Sequence, residues 1–286
     1  MRYIISSLLL VLMTSGASHA QDAPSSADEF NTRGLARHVK GDLDGAIADL
    51  TRAIELNPQL ADAYLNRGNA YARKGEVEKA VSDYDKAIEI DPKNAKAFYN
   101  RGRARDYKGE TDAALADYNR AIEINSQYAA AYNNRALARK GKDDMEGALS
   151  DLTKVLELDP QDARAYYNRG LVRDEKGDLE GAIADYNKAI ELNPKDAEAF
   201  NNRGLSRDDK GEHAGAVDDF SKAIELNPQL ADAYGNRGLA LLSLGKTADA
   251  ERDFEKCFKL DSSLKPYYEE EANKIKQARA AETKKQ

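Results

Sequence analysis

The chain has no tryptophan, one cysteine, three histidines and three methionines in 286 residues. A metal centre built on His or Cys gathers several such ligands in one place, so this supply argues against one. A single cysteine, Cys257, excludes an internal disulfide. It is read either as a small buried apolar residue or as a reactive thiol. After residue 20 no apolar run approaches the ~20 residues needed to cross a bilayer. Positive charge is the weaker sign, with 43 Lys and Arg against 50 Asp and Glu and a net charge of −7. That balance argues against general nucleic-acid binding, which uses a basic surface. There is no His-x-x-x-His and no Gly-x-Ser-x-Gly. The Lys-Gly-Asp/Glu tripeptides at Lys40, Lys74 and Lys176 lack the Gly-Lys-Ser/Thr tail of a phosphate loop. The expectation is therefore no enzyme, no metal and no cofactor.

What the chain does have is a period. Asn57, Asp91, Asn125, Asp159, Asn193, Asn227 and Asp261 follow one another at a constant 34-residue step. A strict period of this length is the signature of stacked helical units sharing one continuous core. Seven units are predicted, at 27–60, 61–94, 95–128, 129–162, 163–196, 197–230 and 231–264. Each carries two helical patterns joined by a turn. A Gly such as Gly177 ends the first helix in the left-handed conformation. Asn/Asp-Pro ends the second, since Pro cannot continue it. Units three and seven have Ser126 and Ser262 in the Pro place, which predicts softer ends. Unit four has Gly141 early and Asp143 in the usual Gly place, which predicts a rearranged turn.

The two ends differ from the repeats. Arg2, an apolar run from Ile4 to Met13 and the small-x-Ala sequence Ser18-His19-Ala20 form a secretory signal pattern over 1–20. An uncleaved anchor is the alternative. Cleavage would start the mature chain at Gln21 with a short leader, 21–26. It would place the protein in a periplasm or outside the cell, with no membrane-spanning segment left. From 265 to 286, Lys265-Pro266 followed by Tyr268, Ala272 and Ile275 at helical spacing predicts a capping helix. It ends in a fraying tail.

Within the units, an aromatic recurs at Phe30, Tyr64, Phe98, Tyr132, Tyr166, Phe200 and Tyr234. A Gly recurs at Gly34, Gly68, Gly102, Gly170, Gly204 and Gly238, with Ala136 in unit four. An Ala recurs at Ala46, Ala80, Ala114, Ala148, Ala182, Ala216 and Ala250. This pattern resembles the tetratricopeptide repeat. The resemblance implies an all-α, right-handed α-α superhelix of seven helix-turn-helix units plus the capping helix, with first helices lining a concave groove. It also implies a non-enzymatic scaffold that binds a protein or peptide partner.

The chain departs from that family at two places. Arg33, Arg67, Arg101, Arg135, Arg169, Arg203 and Arg237 replace the Leu before the Gly. Arg37, Arg105, Arg139, Arg173 and Arg207 replace a Tyr, which survives only as Tyr71. An Asp lies sixteen residues after each of the seven, from Asp49 to Asp253. One Arg–Asp pair per unit is predicted, because an unpaired buried charge is costly. The alternative is that an Asp such as Asp185 pairs with Lys188 on its own helix.

A polar ladder is the candidate site. Asn66, Asn100, Asn134, Asn168, Asn202 and Asn236 precede six of the Args. By the resemblance they face the groove. Asn offers both a donor and an acceptor to a peptide backbone; the alternative is that it links adjacent helices. Lys96, Arg103, Lys140 and Arg164 make the middle of the groove basic. Asp174, Glu175, Asp208 and Asp209 make the later units acidic. A partner with acidic and basic parts would complement both. Self-association through the solenoid ends or the convex face is the alternative role.

Overall fold

The computed structural model describes residues 25–283. The predicted signal, 1–20, and all of the leader but Ser25 and Ser26 lie outside the described residues. Ser26 caps the first helix: its hydroxyl accepts from Glu29 N, and the Glu29 carboxylate reaches back to the Ser26 N–H.

The described residues form fifteen α-helices and one short 3₁₀ turn. The first helices of the units are α1 (Ala27–Lys40), α3 (Ala61–Arg73), α5 (Ala95–Tyr107), α7 (Ala129–Lys140), α9 (Ala163–Glu175), α11 (Ala197–Asp209) and α13 (Ala231–Ser243). The second helices are α2 (Leu43–Leu56), α4 (Val77–Ile90), α6 (Thr111–Ile124), α8 (Met145–Leu158), α10 (Leu179–Leu192), α12 (His213–Leu226) and α14 (Thr247–Leu260). After the turn at Ser262–Leu264 comes α15 (Lys265–Thr283). Each first helix packs against the second helix of its own unit and, from α3 on, against that of the unit before. The result is one stack with a continuous core.

Small residues set the spacing inside a unit. Ala46 and its six equivalents are fully buried. A Cβ built on Gly68, Gly102, Gly170 or Gly204 would lie 2.7–2.8 Å from the ring of Tyr84, Tyr118, Tyr186 or Phe220. Glycine is required where the helix axis comes this close to a ring. In unit four the facing residue is Leu152, and there Ala136 is accommodated, itself fully buried.

The turn of unit four is not rearranged. Asp143 takes φ 61° in the place where Gly177 takes 78°. Asp143 N donates to Lys140 O and Asp144 N to Arg139 O, the same two bonds that Gly177 and Asp178 make to Asp174 and Arg173. Asp tolerates the left-handed region better than most residues, so the backbone survives the loss of Gly. The end of unit three is likewise unaltered by Ser126, with Tyr128 N bonded to Asn125 O as Leu60 N is to Asn57 O.

α15 continues the 34-residue register. Tyr268 and Ala272 follow Tyr234 and Gly238 at that interval, and Glu271 follows Arg237. α15 thus takes the place of a further first helix, with Glu271 where the units carry their first Arg. Tyr268 and Ala272 are buried against α13 and α14, with Ile275 packed beside them.

Candidate functional site: the inner wall of the solenoid

The framework of the wall is an arginine ladder. In all seven units Arg Nε and Nη2 meet both oxygens of the Asp sixteen residues on, at 2.7–3.0 Å and 2.5–2.8 Å. Such planar, bidentate pairing is what a guanidinium offers and an ammonium does not. The guanidinium also lies over the aromatic three residues earlier, 5.3–5.8 Å from its centroid. Its hydrogen bond to Asp185 raises the pKa of Arg169 further above the ordinary Arg value. Lys188 instead pairs with Glu191, so the same-helix alternative for Asp185 is not realised. The second Arg of five units reaches the same Asp at 2.7–3.0 Å, as Arg173 does Asp185. From unit two onward the remaining nitrogen of the first Arg crosses to the preceding second helix, meeting Thr51, Asp85, Asn119, Thr153, Asn187 or Ser221.

Consecutive first helices touch along the whole stack, from α1 and α3 to α11 and α13, whereas consecutive second helices are not in comparable contact. The first helices therefore form the inside of the curve. Residues spaced by three, four and seven share one face of a helix. On α3 that face carries Asp62, Leu65, Asn69 and Arg73, and on α9 Arg164, Tyr167, Leu171 and Asp174 with Glu175.

The Asn ladder sits where adjacent first helices meet. Each Nδ2 donates to the preceding unit: Asn66 to Asn31, Asn100 to Asn69, Asn134 to the Tyr99 hydroxyl, Asn168 to Asn133, Asn202 to the Tyr167 hydroxyl and Asn236 to Asn201, at 2.8–3.3 Å. Asn168 and Asn236 are buried, and the other four are half-buried. The helix-linking role is thus visible in every unit from the second on. The four basic residues separate. Lys96 and Arg164 are exposed at the starts of α5 and α9. Arg103 is exposed and lies over the Tyr99 ring. Lys140 is paired with Glu175.

Two ends of the wall differ in chemistry. Between α1, α3 and α5 lies a hollow of about 640 Å³ lined by His38, Asn69, Arg73, Asn100, Arg103 and Tyr107. Burial and the charge of Arg73 hold the His38 imidazole below its usual pKa. Tyr107 is 82% exposed. From α9 to α13 the wall is acidic. Asp174 accepts from Ser206, and Asp208 lies 2.6 Å from His213 Nδ1. Burial, with Asp174 and Asp208 nearby, pushes the Asp209 carboxyl above its ordinary range. A raised carboxylate pKa means that ionisation opposes folding. Asp209→Asn is therefore expected to raise the melting temperature slightly at pH 7. The gain should shrink as pH falls through the raised pKa and vanish below the ordinary Asp range, about 3.9, where both side chains are neutral. Thermal melts across pH check this.

Sequence reading missed part of the wall. Leu137, Leu171 and Leu205 stand at the 34-residue step directly after Ala136, Gly170 and Gly204, half-buried or exposed on first helices. Their interval was the available signal. Among the described residues the Tyr186 hydroxyl is fully buried without a hydrogen-bond partner, which no sequence pattern announces. Tyr84 in the same place donates to Asn69, whereas Leu171 stands in the place of Asn69 beside Tyr186. Cys257 is buried in the last unit's core, its thiol pushed up to about 11 by burial, which fits the apolar reading and not the reactive one.

Known families recognise this chain from end to end of the stack. The profile described as TPR repeat matches residues 34–75, 68–105, 175–207 and 209–245. Profiles described as tetratricopeptide repeat match 95–128, 152–184, 129–162 and 231–264. The chain belongs to the tetratricopeptide repeat family. Among solved structures it is similar to YrrB, described as a TPR protein with an unusual peptide-binding site, at 27% identity and TM-score 0.57 over 64% of this chain and 95% of that one. It is similar to MamA at 30% identity and TM-score 0.53, over 58% and 96% of the two chains. A tetratricopeptide repeat protein from Parabacteroides merdae shares the fold at 24% identity and TM-score 0.63, over 86% and 98%. No curated protein sequence matches.

Proposed function

We propose that the protein is a non-enzymatic scaffold that holds an extended segment of a partner protein against its inner wall, and that it does so outside the cytoplasm. The observation that carries the reading is the wall itself. Seven first helices present repeated side chains to the inside of one curve, with a basic hollow near one end and acidic units toward the other. Charge of that kind steers encounter and fixes direction more than it adds affinity. YrrB, described with a peptide-binding site, gives the reading a relative. The test is capture of a partner from an envelope extract by the mature protein, followed by cross-link mapping. Cross-links on first helices support the reading, and cross-links confined to second helices refute it.

Two expected outcomes accompany it. The signal pattern at Ser18-His19-Ala20 predicts that exported protein starts at Gln21; mass analysis of the N-terminus checks this, and an intact Met1 in the envelope would reject export with cleavage. Changing Asn134, Asn168 and Asn202 together to Ala removes three bonds between units. A stability loss of about 1 kcal/mol per bond is expected, with weaker partner binding. Titration calorimetry beside a melt separates the two effects: binding that survives unchanged in a folded variant removes the ladder from recognition. Self-association is the second reading, favoured by Leu35 and Val39, 44% and 74% exposed on the first unit. Light scattering at two concentrations decides it.

A further inference from the structure

An apolar stripe runs from α7 into the acidic half of the wall. Leu137 is 37% exposed, and Leu171 and Leu205 follow it, one per unit, half-buried. The next in the series, Leu239, is packed among the residues under α15, so the stripe stops there. Asp174, Glu175, Asp208 and Asp209 run along one side of it. Along the other, after the exposed Arg164 at the start of α9, come Glu198 and Asp232 near the starts of α11 and α13. Among the described residues Asp209 and Glu198 have no cation partner. The Glu198 carboxyl, like that of Asp209, is pushed up, by burial first and then by Asp196 and Asp232. Beneath this stretch the Tyr186 hydroxyl is buried with no hydrogen-bond partner. Burial first, then the charge of Asp174, holds its proton on; it is set in the core under the acidic rim. Apolar side chains flanked by carboxylates, two of them without a cation, describe a surface lacking its complement.

We propose that the wall from α7 to α11 binds an extended, basic segment with an apolar side chain at every third residue and Lys or Arg between. The spacing follows from geometry. Packed helices lie about 8–10 Å apart, and an extended chain advances about 3.1–3.3 Å per residue, so one unit corresponds to about three residues. In a β-strand, residues three apart point to opposite faces. In the polyproline II conformation three residues complete one turn, so they point the same way. The segment is therefore bound as polyproline II, its apolar residues on Leu137, Leu171 and Leu205 and its cations on Asp174, Asp208, Asp209 and Glu198. This inference rests on the scaffold reading and names the chemistry of what that scaffold holds.

The probes are three labelled peptides, read by fluorescence anisotropy with the whole mature protein. One repeats Leu-Lys-Pro. One has the same composition with the leucines grouped. One repeats Leu-Glu-Pro. The first is expected to bind about tenfold or more tighter than the second, less tightly as salt rises, and the third not at all. Leu171→Ser with Leu205→Ser should weaken the first peptide by about tenfold. So should Asp208→Asn with Asp209→Asn at low salt. Leu137→Ser, at the most exposed of the three positions, keeps the test valid if the double leucine variant melts early. Equal binding of the first two peptides, or leucine variants that bind like wild type, would overturn the proposal. The captured natural partner separates this failure from that of the scaffold reading. A partner lost on Arg73→Ala with Arg103→Ala, yet not displaced by the Leu-Lys-Pro peptide, overturns the inference and leaves the scaffold standing. A partner indifferent to every inner-wall substitution overturns both.

Discussion

Arg67→Leu is expected to destabilise the protein by about 3–5 kcal/mol, the range for removing one partner of a buried ion pair, and to do so more than Arg169→Leu. The two residues occupy the same place in units two and five. Both meet their Asp through Nε and Nη2. The difference lies one turn further on. In unit five Arg173 also reaches Asp185, at 2.8 Å. In unit two that place is Tyr71, so Asp83, only 5% exposed, would keep no cation. A carboxylate so placed is poorly served by water, and its desolvation goes uncompensated. Asp83→Asn in the Arg67→Leu background should recover much of the loss, since a neutral amide is far cheaper to bury than a charge. Chemical denaturation of the four proteins gives the coupling energy. Equal costs at Arg67 and Arg169, or additivity with Asp83→Asn, would show that the second Arg and the pairing do not carry the stability.

Ending the chain after Leu264 is expected to be as damaging, but locally. α15 covers α13 through Tyr268, which is 2% exposed, and through Ala272 and Ile275. Tyr268 lies directly over Gly235, where a Cβ would run into its ring. Its hydroxyl is 2.9 Å from Asn236 Oδ1, and Arg279 donates to Leu242 O near the other end of α13. Truncation bares this face at once. Tyr268→Ala alone should cost about 3–5 kcal/mol, as for other large buried side chains. Contacts in the stack run between neighbours only, so loss should propagate weakly. Hydrogen exchange should show α13 and α14 deprotected and α1 to α6 unchanged, and sedimentation should show association through the bared helix. A monomeric truncate with intact protection over α13 would refute the cap.

The architecture was legible because it is written seven times. A period of 34 with Gly, Ala and an aromatic at set places leaves few alternatives, and the Arg–Asp pairing followed from asking where a charge in a core place could go. Asp143 shows a limit of that reasoning. A missing Gly looks like a broken turn, yet the backbone bonds hold the turn and the side chain tolerates it. The inner wall was half legible. The spacing of the Asn ladder was plain, but which neighbour each amide meets depends on the preceding unit, where the acceptor changes from Asn31 to Asn69 to the Tyr99 hydroxyl. The leucine stripe was passed over because a Leu on a helix is usually core, and only its exposure marks it as surface.

The crossing contact of each first arginine has a consequence for how such a chain changes length. The guanidinium of Arg135 closes on Asp151 in its own unit and on Asn119 in the one before. The residue it finds there is Thr, Asp, Asn or Ser in other units, any of which accepts. A duplicated or deleted block of 34 residues would thus meet a compatible partner at either new seam. That joint is interchangeable among the units, whereas the amide contacts between first helices are not, since their acceptors change from unit to unit. The joint beneath α15 differs again: Tyr268 needs a glycine at 235, where any Cβ would meet its ring, so a unit placed there would have to keep that glycine.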